Sequence, residues 1–380
     1  MSSASRQLGS SDQVAAVLHN VSPINSSITN IHSDRMISLQ QGPEFRFKIQ
    51  NLAIPTINPQ EVLVELEVSG FCGTDLSLAH GYFGPCQPIL GHEGVGRIVA
   101  VGSQCTSDAA VVGRLVGVGW IRDACGFCRV CAGHMKDETR CLRQVFSGRD
   151  VPGTLAQYTV VPERYITPLP EDVPSEMLAP IMCAGVTAFK ALKVASPIQG
   201  SWVGISGAAG GVGSLALAYA RQMGYRPIAI DGGERRRLAC MDAGAEIYLD
   251  YQKEDNLRSA LLLKTDGELC SAMIVCAGAV TAYEAALDCL DYHGTLVAVG
   301  IPPPTSKMSL HPLPLIDYGI RIVGSVTGNR ADIAEAAEFV RKGLVKPRIT
   351  EISLQDLEKY AGRVDELEGK LVVRLSSRAG

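Results

Sequence analysis

The stretch VGISGAAGGVGSLALAYA, residues 203–220, runs from a short apolar segment through a glycine-rich turn into an amphipathic helix. That order leaves backbone N–H groups free at the start of a helix, where they can receive a pyrophosphate. Gly207, Gly210, Gly211 and Gly213 keep Cβ atoms out of the turn, although their spacing is not a strict G-x-G-x-x-G. Alone, such a turn is weak evidence, the bland reading being a plain strand–helix junction. Context favours the nucleotide reading, because the next apolar segment, PIAID, ends on Asp231, placed to accept hydrogen bonds from a ribose 2′-hydroxyl. A carboxylate there repels a 2′-phosphate and points to NAD. The run Arg235, Arg236, Arg237 pulls toward NADP, or is a solvated helix face.

The alternation continues outward. Strands are expected at WVGIS, PIAID, EIYLD, AMIVCAG, TLVAVG and RIVGSV, with helices at SLALAYARQMG, ERRRLACMDAG, NLRSALLLK, TAYEAALDCL and ADIAEAAEFVRKG. Short apolar strands between amphipathic helices predict a doubly wound, mostly parallel sheet, assigned to residues 185–325. Upstream, EVLVELEVSG alternates apolar and polar residues, and GHEGVGRIVAVG and GRLVGVGWI are glycine-punctuated β runs. The tail GKLVVRLSS is β again. The chain is therefore read as α/β, with a β-rich domain from 41–184 and 326–380 and the doubly wound unit inserted. Residues 1–40 are read as a polar, Ser/Asn-rich extension without assigned function.

A formal net charge of −4 gives no electrostatic case for nucleic acid or an anionic membrane. No apolar run approaches the roughly 18 residues of a membrane span. The start MSSASRQLGSSDQV lacks the apolar core of a secretory signal and resembles a transit peptide only in its Ser and Arg content. The cytoplasm is the expected location. Twelve cysteines then need an explanation that suits a reducing compartment. Cys86, Cys105, Cys240, Cys270, Cys276 and Cys289 are scattered and read as small hydrophobes.

Four others crowd into CGFCRVCAGHMKDETRC, residues 125–141. Cys125, Cys128, Cys131 and Cys141 have C-x₂-C-x₂-C-x₉-C spacing, so three thiols converge from one tight loop and the fourth closes the set. Disulfides between such near neighbours would be strained. Four thiolates suit an iron–sulfur cluster too, but no redox-partner motif accompanies them. A closed tetrathiolate is the mark of structural zinc. The last two cysteines belong to a dispersed set: Cys72 in SGFCGTDLS, His92 and Glu93 in GHEGVG, and Cys183 in PIMCAGVT. Two thiols and an imidazole leave a fourth position open, as catalytic zinc requires. Taken singly, each reads as a core thiol or a structural histidine.

With CGTD, GHEGVG, CGFCRVC…C, PIMCAGVTAFKALK, ISGAAGGVGSLA, IDGGE and IVGSVTGNRAD in view, the chain from about Val62 onward resembles the zinc-dependent alcohol dehydrogenases of the medium-chain dehydrogenase/reductase superfamily, especially the tetrameric microbial and fungal type. The resemblance implies a GroES-like catalytic domain with an inserted Rossmann domain, two zinc ions per chain, NAD as coenzyme, and a homotetramer acting reversibly on a primary or small secondary alcohol. It implies Cys72, His92 and Cys183 as catalytic zinc ligands, Glu93 as a carboxylate near the metal, Asp75 as the partner orienting His92, and Thr74 as acceptor of the substrate proton. Val212 and Thr187 would pack on the nicotinamide, Arg374 would contact the coenzyme phosphates, and Phe83, Trp120 and Ile301 would border the substrate. Two positions depart from the pattern. Ser77 stands where the family commonly has a relay histidine, with His80 three residues on, and Gly73 stands where a basic residue often touches pyrophosphate. Two alternatives remain at this stage: an NADPH-dependent aldehyde reductase of a biosynthetic pathway, and a non-catalytic zinc- and dinucleotide-binding protein.

Overall fold

The computed structural model describes residues 12–20, 45–134 and 136–376. Two sheets organise it. The first has seven strands in the order Ile349–Ser353, Lys370–Arg374, Glu61–Phe71, Glu93–Val101, Leu115–Val118 and Thr167–Pro168, with Tyr158–Pro162 also pairing Glu61–Phe71. Strands from near the C-terminus thus sit beside strands from the first half of the chain. The alternation in EVLVELEVSG buries Val62, Val64, Leu66 and Val68 completely. Most of that face packs with Phe71, Ile98 and Val116 into one core.

The second sheet has six strands, all parallel, in the order Ile247–Asp250, Arg226–Asp231, Trp202–Ser206, Cys270–Val275, Leu290–Ala298 and Arg321–Gly324. Every residue of the central strand Trp202–Ser206 is buried, which is why that segment is apolar throughout rather than alternating. The helices Ala184–Ala195, Gly211–Gln222 and Arg330–Arg341 cover one face. Leu257–Lys264 and Val280–Asp288 cover the other. The order reverses where Trp202–Ser206 meets Cys270–Val275, and ligands of such sheets bind at that crevice, beyond the carboxyl ends of the strands.

The structure adds one strand that the sequence does not mark. Within the stretch read as a polar extension, Asp12–Asn20 is a strand paired antiparallel with Phe45–Ala53. Ala15 and Ala16 are fully buried, and Leu18 and Phe47 join the core of the catalytic half. The reason is local: VAAVL is a short β segment whose signal is diluted when forty residues are averaged together. The rest of that stretch, 1–11 and 21–40, lies outside the described residues.

No single described helix is long and apolar enough to cross a membrane. The bent pair Ser175–Met182 and Ala184–Ala195 passes on length and composition, but most of its apolar residues are buried within the core.

Candidate active site

The CGTD motif folds as a capped helix. Cys72 caps Gly73–Ala79: its Sγ accepts the Thr74 N–H at 3.3 Å, and its own N–H donates to Asp75 Oδ2 at 3.0 Å. This reciprocal box fixes the first turn and buries Asp75 completely. The other carboxylate oxygen, Oδ1, accepts the Gly91 N–H at 3.0 Å and meets His92 Nδ1 at 3.0 Å. One aspartate therefore sets both the cap that places Cys72 and the ring orientation of His92. With Nδ1 held, Nε2 faces Cys72 Sγ at 3.4 Å. Gly91, just before the histidine, has φ +96°, and a Cβ there would lie 2.8 Å from the Leu155 backbone nitrogen. Only glycine fits that turn.

Cys183 enters from the segment preceding Ala184–Ala195. Ligand atoms of Cys72, His92, Glu93 and Cys183 all fall within 4.8 Å of one another. The thiols interact strongly: a hydrogen bond from Cys183 holds Cys72 well below the usual thiol range against the opposing effect of burial, while the same bond and burial push Cys183 up. Glu93 is wholly buried. Burial pushes its carboxyl up to about 7, opposed by Lys370, whose Nζ lies 2.6 Å from Oε1. The second oxygen, Oε2, is buried without a hydrogen-bond partner. Gly70 makes room for it, since a Cβ at Gly70 would sit 2.0 Å from Oε2. Two thiolates, an imidazole held by a carboxylate, and an orphaned carboxylate oxygen together fit a zinc ion with an open position.

The second cluster is of another kind. Cys125, Cys128, Cys131 and Cys141 also lie within 4.8 Å of one another. The turn supplies N–H donors to sulfur: Cys125 and Arg143 to Cys141, and Cys128 to Cys125, each at 3.3 Å. The Leu142 and Cys131 N–H groups bring Cys128 down to about 6. Donors aimed at sulfur favour thiolates. Four thiolates fit a closed zinc site, and none of the twelve cysteines is in a disulfide.

A cleft of about 1680 Å³ runs from the first cluster into the crevice of the parallel sheet. Cys72, Thr74, His92, Cys183, Thr187, Phe83, Trp120 and Ile301 line it, together with Gly207, Gly210, Gly211, Val212, Gly213 and Asp231. Gly207 has φ +70°, and a Cβ on Gly213 would lie 2.2 Å from Gly207 O, so the helix packs directly on the turn. No side chain caps Gly211–Gln222 at Gly210, leaving its first N–H groups to the cleft. Asp231 accepts the Ala209 and Gly232 N–H groups, both at 2.9 Å, and pairs with Arg236 at 2.7 Å. Arg236 lines the cleft as well. Arg237 instead pairs with Glu234 on its own helix, and Arg235 reaches Glu368.

Arg374 is not among the cleft residues; its guanidinium is held by Glu351 at 2.6 Å and Glu176 at 3.6 Å. Lys370, four residues earlier on the same strand, does line the cleft. Four residues of strand separate the two by roughly 13 Å. Ser77 and His80 do not line the cleft either. Two residues were not anticipated: Phe146, whose ring stacks on Trp120 at 4.8 Å, and Arg149 beside it. Their signal was faint, an aromatic and a basic residue in a loop just past the last zinc-loop cysteine.

A coenzyme crevice with an open metal set at its floor defines a metal-dependent dehydrogenase. Residues 58–171 match the alcohol dehydrogenase GroES-like domain, and residues 211–342 match the zinc-binding dehydrogenase family. Alcohol dehydrogenase 2 of Emericella nidulans is 36% identical over 347 residues, covering 87% of this chain and 94% of that one. An alcohol dehydrogenase of Geobacillus stearothermophilus is 35% identical over 337 residues, covering 86% and 95%. Among solved structures, an alcohol dehydrogenase zinc-binding domain protein from Burkholderia ambifaria superposes with a TM-score of 0.79 at 23% identity, over 96% of this chain and 99% of that chain. The chain belongs to the zinc-dependent alcohol dehydrogenases of the medium-chain dehydrogenase/reductase superfamily, oxidoreductases that act on alcohols.

Proposed function

We propose that this enzyme transfers hydride reversibly between a primary or small secondary alcohol and NAD, with one catalytic and one structural zinc per chain. The observation that carries the reading is the convergence of Cys72, His92, Cys183 and the orphaned Glu93 oxygen at the end of a cleft whose other end is the glycine turn and Asp231. Zinc held there supplies Lewis acidity, lowering the pKa of a bound alcohol toward neutrality.

The chain's own residues do the rest. Thr74 Oγ1, beside Cys72 at the cleft wall, takes the substrate proton and passes it outward; with Ser77 in place of a histidine, water carries it on. Val212 and Thr187 hold the nicotinamide face, and Lys370 offers positive charge to the coenzyme phosphates. Phe83 and Trp120 narrow the slot around the carbon that gives up hydride, with Ile301 further out.

NAD is favoured because Asp231 would repel a 2′-phosphate. Arg236, within 2.7 Å of that carboxylate and exposed to the same cleft, favours a second reading as an NADPH-dependent reductase of aldehydes. Rates with NAD and NADP over a panel of alcohols and aldehydes decide between them. A higher kcat/KM with NADP would sink the NAD assignment.

We also infer a homo-oligomer, a tetramer by family resemblance, in the cytoplasm. Support comes from the edge strand Arg321–Gly324, which has one neighbour in the sheet, and from exposed Leu313, Ile316 and Tyr318 just before it. Twelve unpaired thiols suit a reducing compartment. Light scattering that gave a monomer mass would remove the oligomer.

A further inference from the structure

We propose that the preferred substrates are alcohols carrying an anionic group, a carboxylate above all, at the end remote from the hydroxyl, and that Arg149 and Arg140 receive it. The inference rests on the dehydrogenase reading of the same cleft. The wall given to the cleft by residues 71–187 is apolar and aromatic apart from the metal-set residues and Thr74, Thr187 and these two arginines. It includes both guanidiniums and no Asp or Glu. The carboxylates that line the cleft come from Asp231 onward, outside that wall.

Arg149 stands at the end of an aromatic ladder that begins at the metal set. The His92 ring meets Trp120 at 5.3 Å, Trp120 stacks on Phe146 at 4.8 Å, and the Arg149 guanidinium lies 5.4 Å from the Phe146 ring centroid. A substrate with its hydroxyl at the metal and its apolar body along this wall brings its far end to Arg149.

The arginine is not already neutralised. Its nearest carboxylate, Asp150, is at 4.0 Å, the limit of an ion pair, and uses Oδ2 to accept the Phe146 N–H at 2.8 Å. Arg149 is 41% exposed, so the mouth is wet and the pairing is screened by salt. Arg140, exposed and lining the same cleft, forms no ion pair among the described residues.

The loop that carries Phe146 and Arg149 is firmly held. Arg122 is buried and donates to Ser147 Oγ at 3.1 Å, to Pro152 O at 3.1 Å and to Thr159 Oγ1 at 3.0 Å, while Ser147 Oγ donates to Gly119 O at 2.7 Å beside Trp120. This anchorage positions Arg149 and lowers the entropic cost of using it. A purely apolar substrate would gain nothing from two cations at the rim. An anionic end gains charge-assisted, bidentate hydrogen bonding.

The test compares ω-hydroxy carboxylic acids of increasing chain length with their own methyl esters, which remove the charge and add one carbon. Purified full-length enzyme should show kcat/KM about 10-fold higher for an acid than for its ester at low salt, the size of a charged hydrogen bond at a partly exposed site. The preference should shrink at high ionic strength. Arg149→Gln should lower the acid-to-ester ratio toward one, and Arg140→Gln should lower it less. Arg143→Gln, six residues before Arg149 and packed over Phe127, should leave the ratio unchanged. Zinc content and melting temperature verify that each variant is folded. Oxidation of esters with no preference for acids would overturn the anionic-substrate inference and leave the dehydrogenase reading standing. Failure to oxidise any acid, ester or simple alcohol would overturn both.

Discussion

The two thiol clusters differ in how far apart their members lie in the chain, and that distance separates their roles. Cys125, Cys128, Cys131 and Cys141 come from one loop whose backbone donates hydrogen bonds to sulfur, and that loop supplies all four ligand atoms of the set. Cys72, His92 and Cys183 come from a helix cap, a turn before a strand and the start of another helix. They face a cleft and have an unsatisfied carboxylate oxygen behind them. A loop can build a closed site by itself. An open one needs the fold to bring its parts together and leave a space, so the first should serve stability and the second chemistry.

Substitutions can break that division. Cys183→Ala should remove the metal from the open set and lower kcat/KM by roughly a thousandfold or more, the equivalent of several kcal/mol of lost transition-state stabilisation. Far-UV circular dichroism should remain unchanged. Asp75→Asn keeps the cap shape but weakens the hold on His92 Nδ1, and should cost about 10- to 100-fold in activity or zinc affinity. Retention of full activity would show that Asp75 does not orient the ligand.

Cys128→Ser should act the other way, lowering the melting midpoint by roughly 5–10 °C while molecules that stay folded retain kcat. A substitution outside both clusters sets the scale. Asp332 completes the capping box of Arg330–Arg341 with Asn329 and meets Lys193 at 2.8 Å and Lys190 at 3.1 Å. Burial would raise its pKa, but Lys193, the Asn329 N–H and Lys190 outweigh this and hold the carboxyl below the ordinary range. A depressed folded pKa gives stability that is present above the unfolded value and lost as pH falls through the folded one. Asp332→Asn should therefore cost about 1 kcal/mol near neutral pH, with the difference from the parent vanishing in strong acid. Denaturant midpoints across pH measure it, and an undiminished difference at low pH would contradict the assignment.

The same contrast explains what could be read from the chain alone. The strand–helix alternation from Trp202 to Gly324 was legible because each unit is a local pattern, and the observed strands fall on the apolar runs. The four-cysteine loop was legible for the same reason. The dispersed ligands were not: nothing local links Cys72 to His92 or Cys183, and only family resemblance joined them. The distance of Arg374 from the cleft was not legible, because which end of GKLVVR reaches the crevice depends on the pairing of Lys370–Arg374 with Glu61–Phe71, a tertiary fact. Arg149 escaped because its meaning lies in the rings of Phe146, Trp120 and His92 between it and the metal set.

The central claim is best tested by counting zinc in the purified enzyme and in its Cys72→Ala and Cys128→Ser forms. Two zincs per chain in the parent, one in the inactive but equally stable Cys72→Ala form, and one in the destabilised Cys128→Ser form are the results expected. A parent with a single zinc, or a Cys72→Ala form that keeps both its metal and its activity, would contradict the account.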